Sequence, residues 1–418
     1  MAVSPAGPYG PSDSSAAATA KVKALTILDN KSPKAAPPAG SVAMAHEPQR
    51  DITDIFNDEV RRRYVKTHKL GEGTYATVHA AHLASDPTQR FAIKKIKVNN
   101  QLGNGMAVDA IREIKCLTEL EHDNIIKLHA VFSSKNQNLN LVLELLPLGD
   151  LEEVLKARDH LEYNAADIKS WMAMSCRGLA WCHANFIMHR DIKQSNLLIA
   201  ADGTIKLADF GLARHFDNPQ VPMTHEVITR WYRPPELLLG ANQYSPVIDV
   251  WSIGVVMGEL VMRSFWLIGQ TDIDMLDRIA QVCGPLNEDT WPSISRLPLS
   301  AAITSQNGQH QQQQQQHRGW SKAEWEMRFG LIGPVGVDLL RKMLVPDPRH
   351  RLSSRAVLEH AWWTTDPRPT PPHLLPRDPR KLGGEAKVGD DLKRRGGELP
   401  TEGRADKVAR KINFGDAR

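Results

Sequence analysis

Apolar residues recur in three short runs near the start of the patterned part of the chain: Tyr64–Leu70, Thr77–Leu83 and Phe91–Val98. Turn residues separate them, and such runs predict strands. Ala107–Glu121 has the three-and-four spacing of an amphipathic helix, and Leu139–Leu145 reads as another apolar strand. Then the period changes. Ala165–Asn185, Val247–Arg263, Asp272–Val282 and Val337–Leu344 carry helical periodicity, with a short apolar strand at Thr204–Leu207 between the first two. A small strand-rich part followed by a larger helical part predicts an α+β, two-lobed molecule with a cleft between lobes. The expected boundaries are 64–146 for the first lobe and 147–363 for the second.

The flanks lack such periods. Residues 1–55 are rich in Ala, Ser, Pro and Gly, which predicts a disordered leader, with order beginning near Arg63. Gln309–Gln316, interrupted only by His310, has no apolar face to bury. It is expected on a surface loop spanning 306–318. Residues 366–418 hold Pro-rich and Gly-rich stretches and are expected to be extended or disordered.

Composition narrows the class. The 418 residues are 41% hydrophobic and 24% charged, as in ordinary globular proteins. The longest nearly apolar stretch, Val250–Met262, contains Glu259 and falls short of the ~20 residues that span a bilayer. The N-terminus lacks the order of a signal peptide. Cys116, Cys176, Cys182 and Cys283 form no C-x-x-C pair. That argues against a zinc ribbon or a disulfide framework and fits a reduced intracellular protein. The net charge is +4. The basic surplus lies after residue 364, so the body of the chain is balanced and gives little support to nucleic-acid binding.

Five motifs carry chemistry. Gly71-Glu-Gly73-Thr-Tyr-Ala76-Thr-Val78 lies between two predicted strands, where glycines let backbone amides approach a polyphosphate. Alone it equally fits a hairpin turn, and Ala76 replaces the usual third glycine. Phe91-Ala-Ile-Lys94 ends an apolar strand with a lysine suited to nucleotide phosphates. A buried lysine needs an anion, and Glu113 on the next helix is available. Lys95 and Lys97 are read as solvated. His189-Arg-Asp191-Ile-Lys193-Gln-Ser-Asn196 places Asp191 to accept a hydroxyl proton, Lys193 to neutralise phosphate charge and Asn196 to bind Mg²⁺. Asp209-Phe-Gly211 follows, with Asp209 as a second Mg²⁺ ligand. Pro234-Pro235-Glu236 and Asp347-Pro-Arg-His-Arg351 supply Glu236 and Arg351 as a candidate structural ion pair. Each motif has a bland reading. Their joint occurrence, in order and on the expected elements, does not.

From Tyr64 to Trp363 the chain resembles the eukaryotic protein kinases, and within them the cyclin-dependent kinases. Thr224-His-Glu-Val-Ile-Thr-Arg-Trp-Tyr-Arg-Pro-Pro-Glu236 is similar to their activation segment. Gly105-Met-Ala-Val-Asp-Ala-Ile-Arg-Glu113, Ala76-Thr-Val78 and Arg368–Arg377 are most similar to the CDK-activating kinase family, the kinase subunit of general transcription factor IIH. Thr74 and Tyr75, Asn218-Pro219 and a hinge one residue longer depart from that pattern.

The resemblance implies a bilobal kinase fold and γ-phosphoryl transfer from ATP, with Mg²⁺, to Ser or Thr followed by Pro. It implies catalytic roles for Asp191, Lys193, Asn196 and Thr229. ATP contacts are implied for Leu70, Gly71, Glu72, Gly73, Thr74, Tyr75, Ala76, Val78, Ala92, Lys94, Glu113, Leu143, Glu144, Leu146 and Leu197. Leu143 stands as gatekeeper, and Glu144–Leu146 meet the adenine. It implies metal ligation by Asn196 and Asp209, an activating phosphosite at Thr224, and Arg112, Arg190 and Arg214 around its phosphate. It further implies a cyclin on the helix Ala107–Glu121 that brings Glu113 to Lys94, a RING-type assembly factor and a nuclear location. Implied substrates are the RNA polymerase II tail or the activation loops of other cyclin-dependent kinases. A cell-cycle kinase of another subtype and a catalytically dead scaffold remain the competing classes. The scaffold usually lacks one of Lys94, Asp191, Asn196 or Asp209, all present here.

Overall fold

The structure is a computed structural model that describes residues 52–73, 76–97, 108–134, 138–216, 223–225, 227–301 and 317–382. Helix α1 (Ile52–Arg63) leads into β1 (Tyr64–Glu72), β2 (Ala76–Leu83) and β3 (Arg90–Ile96); α2 (Val108–Glu119) precedes β4 (Leu128–Ser133) and β5 (Leu139–Glu144). These strands form an antiparallel sheet in the order β1-β2-β3-β5-β4. Alternate residues of a strand point to opposite faces. One face packs Leu70, Ala80 and Ala92 with Val78 and Leu145. The other packs Ala81, Phe91, Ile93, Phe132 and Val142. On α2 the buried residues Ala110, Glu113, Cys116 and Leu117 share one helical face.

The second lobe is helical. It contains α3 (Leu151–Lys156), α4 (Ala165–Ala184), α5 (Pro235–Leu238), α6 (Val247–Met262) and α7 (Asp272–Cys283). Helices Lys322–Phe329, Gly333–Met343 and Ser354–Leu358 follow. Two small antiparallel ribbons lie near the first lobe: β6 (Ile187–Met188) pairs with β9 (Arg214–His215), and β7 (Leu197–Ile199) with β8 (Ile205–Leu207). Every residue of α6 from Ile248 to Val261 is buried. That is why its sequence is apolar nearly all round. Asn164 opens α4 with a capping box to Asp167. No helix among the described residues is long and apolar enough to cross a membrane.

Two flank expectations are corrected. Order begins before Arg63: α1 starts at Ile52, inside the stretch read as leader. The Asn57 amide donates to the Ser133 carbonyl (3.0 Å) and accepts from its N–H (2.6 Å), and Val60 packs on the outer sheet cluster. Covering a sheet edge stabilises α1 by tertiary contact; Ile52, Ile55, Phe56 and Val60 carry a helical spacing, though only Val60 packs on the sheet. After Asp366 the chain is not free either. The buried Lys169 ammonium donates to the carbonyls of Thr365 (2.9 Å) and Pro367 (2.8 Å), 5.1 Å from the Trp362 ring centroid. The Thr370 hydroxyl donates to Asp167 (2.6 Å), and Leu375 is buried. A strap over residues 365–382 results, held by polar anchors far apart in sequence. Residues 1–51, the tract 309–316 and the tail 383–418 lie outside the described residues.

Candidate active site

The floor of the cleft is built around Asp249 on α6. Its carboxylate accepts the backbone N–H groups of His189 (2.9 Å) and Arg190 (2.9 Å), and His183 Nε2 lies 2.9 Å away. Burial alone would raise this carboxyl; the His183 hydrogen bond and charge and the donated backbone bonds hold it below the ordinary value. The same bonds hold Arg190 in the left-handed region, at φ 63°, costly for a bulky side chain and therefore maintained by its surroundings. The Asp191 N–H donates to His189 Nδ1 (3.2 Å), so Nε2 carries the proton and donates to the Ala208 carbonyl (3.0 Å). Full burial keeps this imidazole neutral by lowering its pKa. The Phe210 ring meets it edge-on at 4.8 Å. Catalytic loop and Asp209 segment are thereby locked together.

On the opposite wall, Lys94 of β3 faces two carboxylates. Its ammonium lies 2.7 Å from both Glu113 oxygens and 3.1 Å from Asp209 Oδ1. The Lys94 and Glu113 side chains are only 16% and 4% exposed, so neither charge is affordable alone. The Lys94–Glu113 pair, which the resemblance links to cyclin binding, is closed in this chain. Asp209 is also left-handed (φ 65°), a conformation that aspartate tolerates.

Asp191 is the hub of a second cluster. Oδ2 accepts from Lys193 Nζ (2.9 Å) and Asn196 Nδ2 (3.0 Å), and Oδ1 from the Thr229 hydroxyl (3.1 Å). Lys193 also reaches Thr229 (3.2 Å), while Asn196 Nδ2 bonds the Asp191 carbonyl (2.7 Å). The Ala208 N–H donates to the Asn196 carbonyl (2.9 Å), which brings Asn196 beside Asp209. All four residues named catalytic from sequence therefore meet in one place.

The cleft has a volume of about 950 Å³, including space open to solvent. Leu70, Val78, Ala92, Leu143, Leu146 and Ala208 form its apolar walls, and Lys94, Glu113, Glu144, Asn196 and Asp209 its polar end. Leu145 and Leu146 make no backbone hydrogen bond among those described. Two residues depart from expectation. Leu197 points into the core, and its neighbour Leu198 lines the cleft. In a two-residue alternation a slip of one position changes faces. Glu72 pairs with Lys69 and, at 2.7 Å, with Lys97; hydrogen bonds and charge from the two lysines hold its carboxyl at about 2. Lys97, read as solvated, is exposed and forms this surface ion pair. Gly71, Gly73 and Ala76 shape the turn above the cleft, where the Gly73 N–H donates to the Ala76 carbonyl (2.8 Å). Thr74 and Tyr75, and Asn218-Pro219, lie outside the described residues. Sequence reasoning missed Ile126, Asp150 and Ser195, which also line the cleft. Ser195 lies inside the His189–Asn196 motif, but no ligand role was read for it; Ile126 and Asp150 carry no catalytic motif.

Thr224 is exposed. Arg190 donates to the Leu212 carbonyl (2.8 Å) and the Tyr244 hydroxyl (2.9 Å). Arg214 sits on β9. Arg112 pairs instead with Asp109 on its own helix (3.0 Å). The Glu236–Arg351 ion pair is bidentate, at 2.7 and 2.9 Å, and fully buried.

A family profile described as "Protein kinase domain" matches residues 64–363. The chain belongs to the protein kinase family. The kinase is 42% identical to Serine/threonine-protein kinase crk1 of Schizosaccharomyces pombe, over 79% of this chain and 93% of that one. It is 40% identical to Serine/threonine-protein kinase KIN28 of Saccharomyces cerevisiae, over 76% of this chain and 98% of that one. Identity with Cyclin-dependent kinase 7 of Xenopus laevis is 37%, over 84% and 96%. Among solved structures, the CAK complex from Chaetomium thermophilum bound to ATP-γ-S contains a chain 50% identical to this one. The TM-score is 0.73, covering 78% of this kinase and 99% of that chain. Within the family this is a serine/threonine kinase of the cyclin-dependent, CDK-activating type, and its fold is the bilobal kinase fold.

Proposed function

We propose that the cleft binds ATP and that the kinase transfers its γ-phosphoryl group to Ser or Thr residues followed by Pro. The observation that carries this is the convergence of Lys193, Asn196 and Thr229 on Asp191 at the polar end of an apolar cleft. The adenine fits between Ala92, Leu143 and Leu198, with the backbone groups of Leu145 and Leu146 beside it. Lys94 meets the phosphates. The donor set suits magnesium. The Asn196 amide nitrogen is committed to Asp191, so its oxygen would be left to hold the cation, and Asp209 would add a carboxylate; both are hard oxygens. Bound there, the ion would neutralise phosphate charge. Asp191 accepts the proton of the acceptor hydroxyl, and Lys193 balances charge on the transferring group.

The preference for proline rests on Ile228. It is held left-handed (φ 67°), and its carbonyl accepts from Arg233 Nη2 (3.1 Å) and Nε (3.3 Å). That carbonyl is unavailable to the residue after the acceptor. An ordinary N–H there would lose a partner, and proline has none to lose.

A cyclin is the proposed partner of α2, whose Val108 and Ile111 are 60% and 46% exposed. A RING-type assembly factor, nuclear location, and the RNA polymerase II tail or other kinases' activation loops as substrates complete the reading, supported by similarity to KIN28 and the CAK complex. The test is Asp191→Asn, assayed with cyclin and Mg-ATP. Transfer is expected to fall about 10²–10⁴-fold, the range for a lost general base, with nucleotide binding retained. Undiminished transfer would overturn the assignment.

A further inference from the structure

Tyr244 lies in the turn between α5 and α6, and no catalytic motif includes it. Its phenol oxygen accepts from Arg190 Nη1 (2.9 Å) and donates to the backbone carbonyl of Thr224 (2.8 Å). One residue earlier, the Met223 N–H donates to the Asn242 carbonyl (2.7 Å). Two bonds, one from a side chain and one from backbone, therefore tie Met223 and Thr224 to the turn 242–244. At its other end the Tyr244 link reaches a guanidinium already fixed by the Leu212 carbonyl, directly after Asp209-Phe-Gly211. Arg190 in turn shares the Asp249 carboxylate with His189, next to Asp191. A continuous path of hydrogen bonds runs from the Thr224 backbone through the phenol to the catalytic loop. Burial raises the pKa of this phenol, while Arg190 and Arg214 oppose the shift. The hydroxyl is neutral and protonated at working pH, and both guanidinium groups are near it.

We propose that Tyr244 is a positioning residue for the activation segment, its phenol linking Arg190 to the Thr224 backbone while Thr224 carries no phosphate. This rests on the reading of Thr224 as the activating phosphosite. A phosphate on Thr224 would bring strong acceptor oxygens to the same guanidinium groups. The phenol would then be one link among several. Its contribution belongs to the unphosphorylated kinase and fades on phosphorylation. A Tyr244 that only packs would matter equally in both forms.

Tyr244→Phe keeps the ring and removes the link. The full chain with its cyclin would be prepared with Thr224 unphosphorylated and fully phosphorylated, alongside wild type, and kcat and the KM for ATP measured for each. In the unphosphorylated form kcat is expected to fall about tenfold, as for a lost hydrogen bond to a charged group, with the KM for ATP unchanged. In the phosphorylated form it is expected to return to within about twofold of wild type. No loss in the unphosphorylated form, or the same loss in both, overturns the proposal. Wild-type kcat that ignores Thr224 phosphorylation overturns the phosphosite reading instead; Tyr244 is then judged on the unphosphorylated pair alone.

Discussion

Two buried carboxyl groups on α6 show how far neighbours decide the state of a side chain. Asp249 accepts two backbone N–H groups and faces His183. Glu259, ten residues later on the same helix, receives only the Tyr232 hydroxyl (3.1 Å). Burial pushes the Glu259 carboxyl well above its ordinary value, and the charge of Glu152 adds to the shift. Between its unfolded and its raised folded value, such a carboxyl is protonated in the fold and ionised in the unfolded chain. Its stability is therefore complete below the unfolded value of 4.5 and is lost as pH rises above it. Glu259→Gln, which keeps an acceptor for Tyr232, is expected to raise the melting temperature at pH 7.5. The gain should vanish near pH 4.5. A gain that instead grows on acidification would contradict this assignment. The sequence marked Asp191, Lys94 and Asp209 because the chemistry needs those types at those spacings. It placed Asp249 in Asp249-Val-Trp-Ser-Ile-Gly254 at the start of an apolar helix, but not its state or that of Glu259, which depend on the donors the fold turns toward them.

At the scale of elements, periodicity located strands and helices well where one face is buried and the other wet. It failed where an element owes its order to a few distant contacts. Helix α1 rests on Asn57 and Val60, and the strap on Lys169, Thr370 and Leu375. Lys169→Met would remove the donor that ties the half-buried Thr365 carbonyl and the exposed Pro367 carbonyl to α4. The expected outcome is faster proteolysis within residues 366–382 and a lower melting temperature. A strap as resistant to protease as in wild type would show that Lys169 does not hold it. Leu197 and Leu198 are a subtler case. Both are apolar and adjacent, and only the pairing of β7 with β8 decides which one faces the cleft.

For the whole molecule, function depends on two lobes meeting. Lys94 comes from the sheet, Glu113 from α2, and Asp191, Asn196 and Asp209 from loops under the second lobe. The activation segment adds Thr229 to the Asp191 cluster and Ile228 beside it. That last arrangement gives a quantitative expectation for substrates. Replacing Pro by Ala after the acceptor Ser should lower kcat/KM by about 5- to 150-fold, the cost of one unpaired N–H. Equal turnover of the two peptides would refute the role of the Ile228 carbonyl. The sequence by itself determined the lobe order, the strands and helices with one wet face, and the candidate catalytic side chains, because local period and required residue types are written along the chain. Only the tertiary structure decided the Asp249 anchor, the strap, the Leu198 wall and the Tyr244 link. Each is a hydrogen bond or contact between residues far apart in sequence, and no local pattern encodes which distant partner a side chain meets.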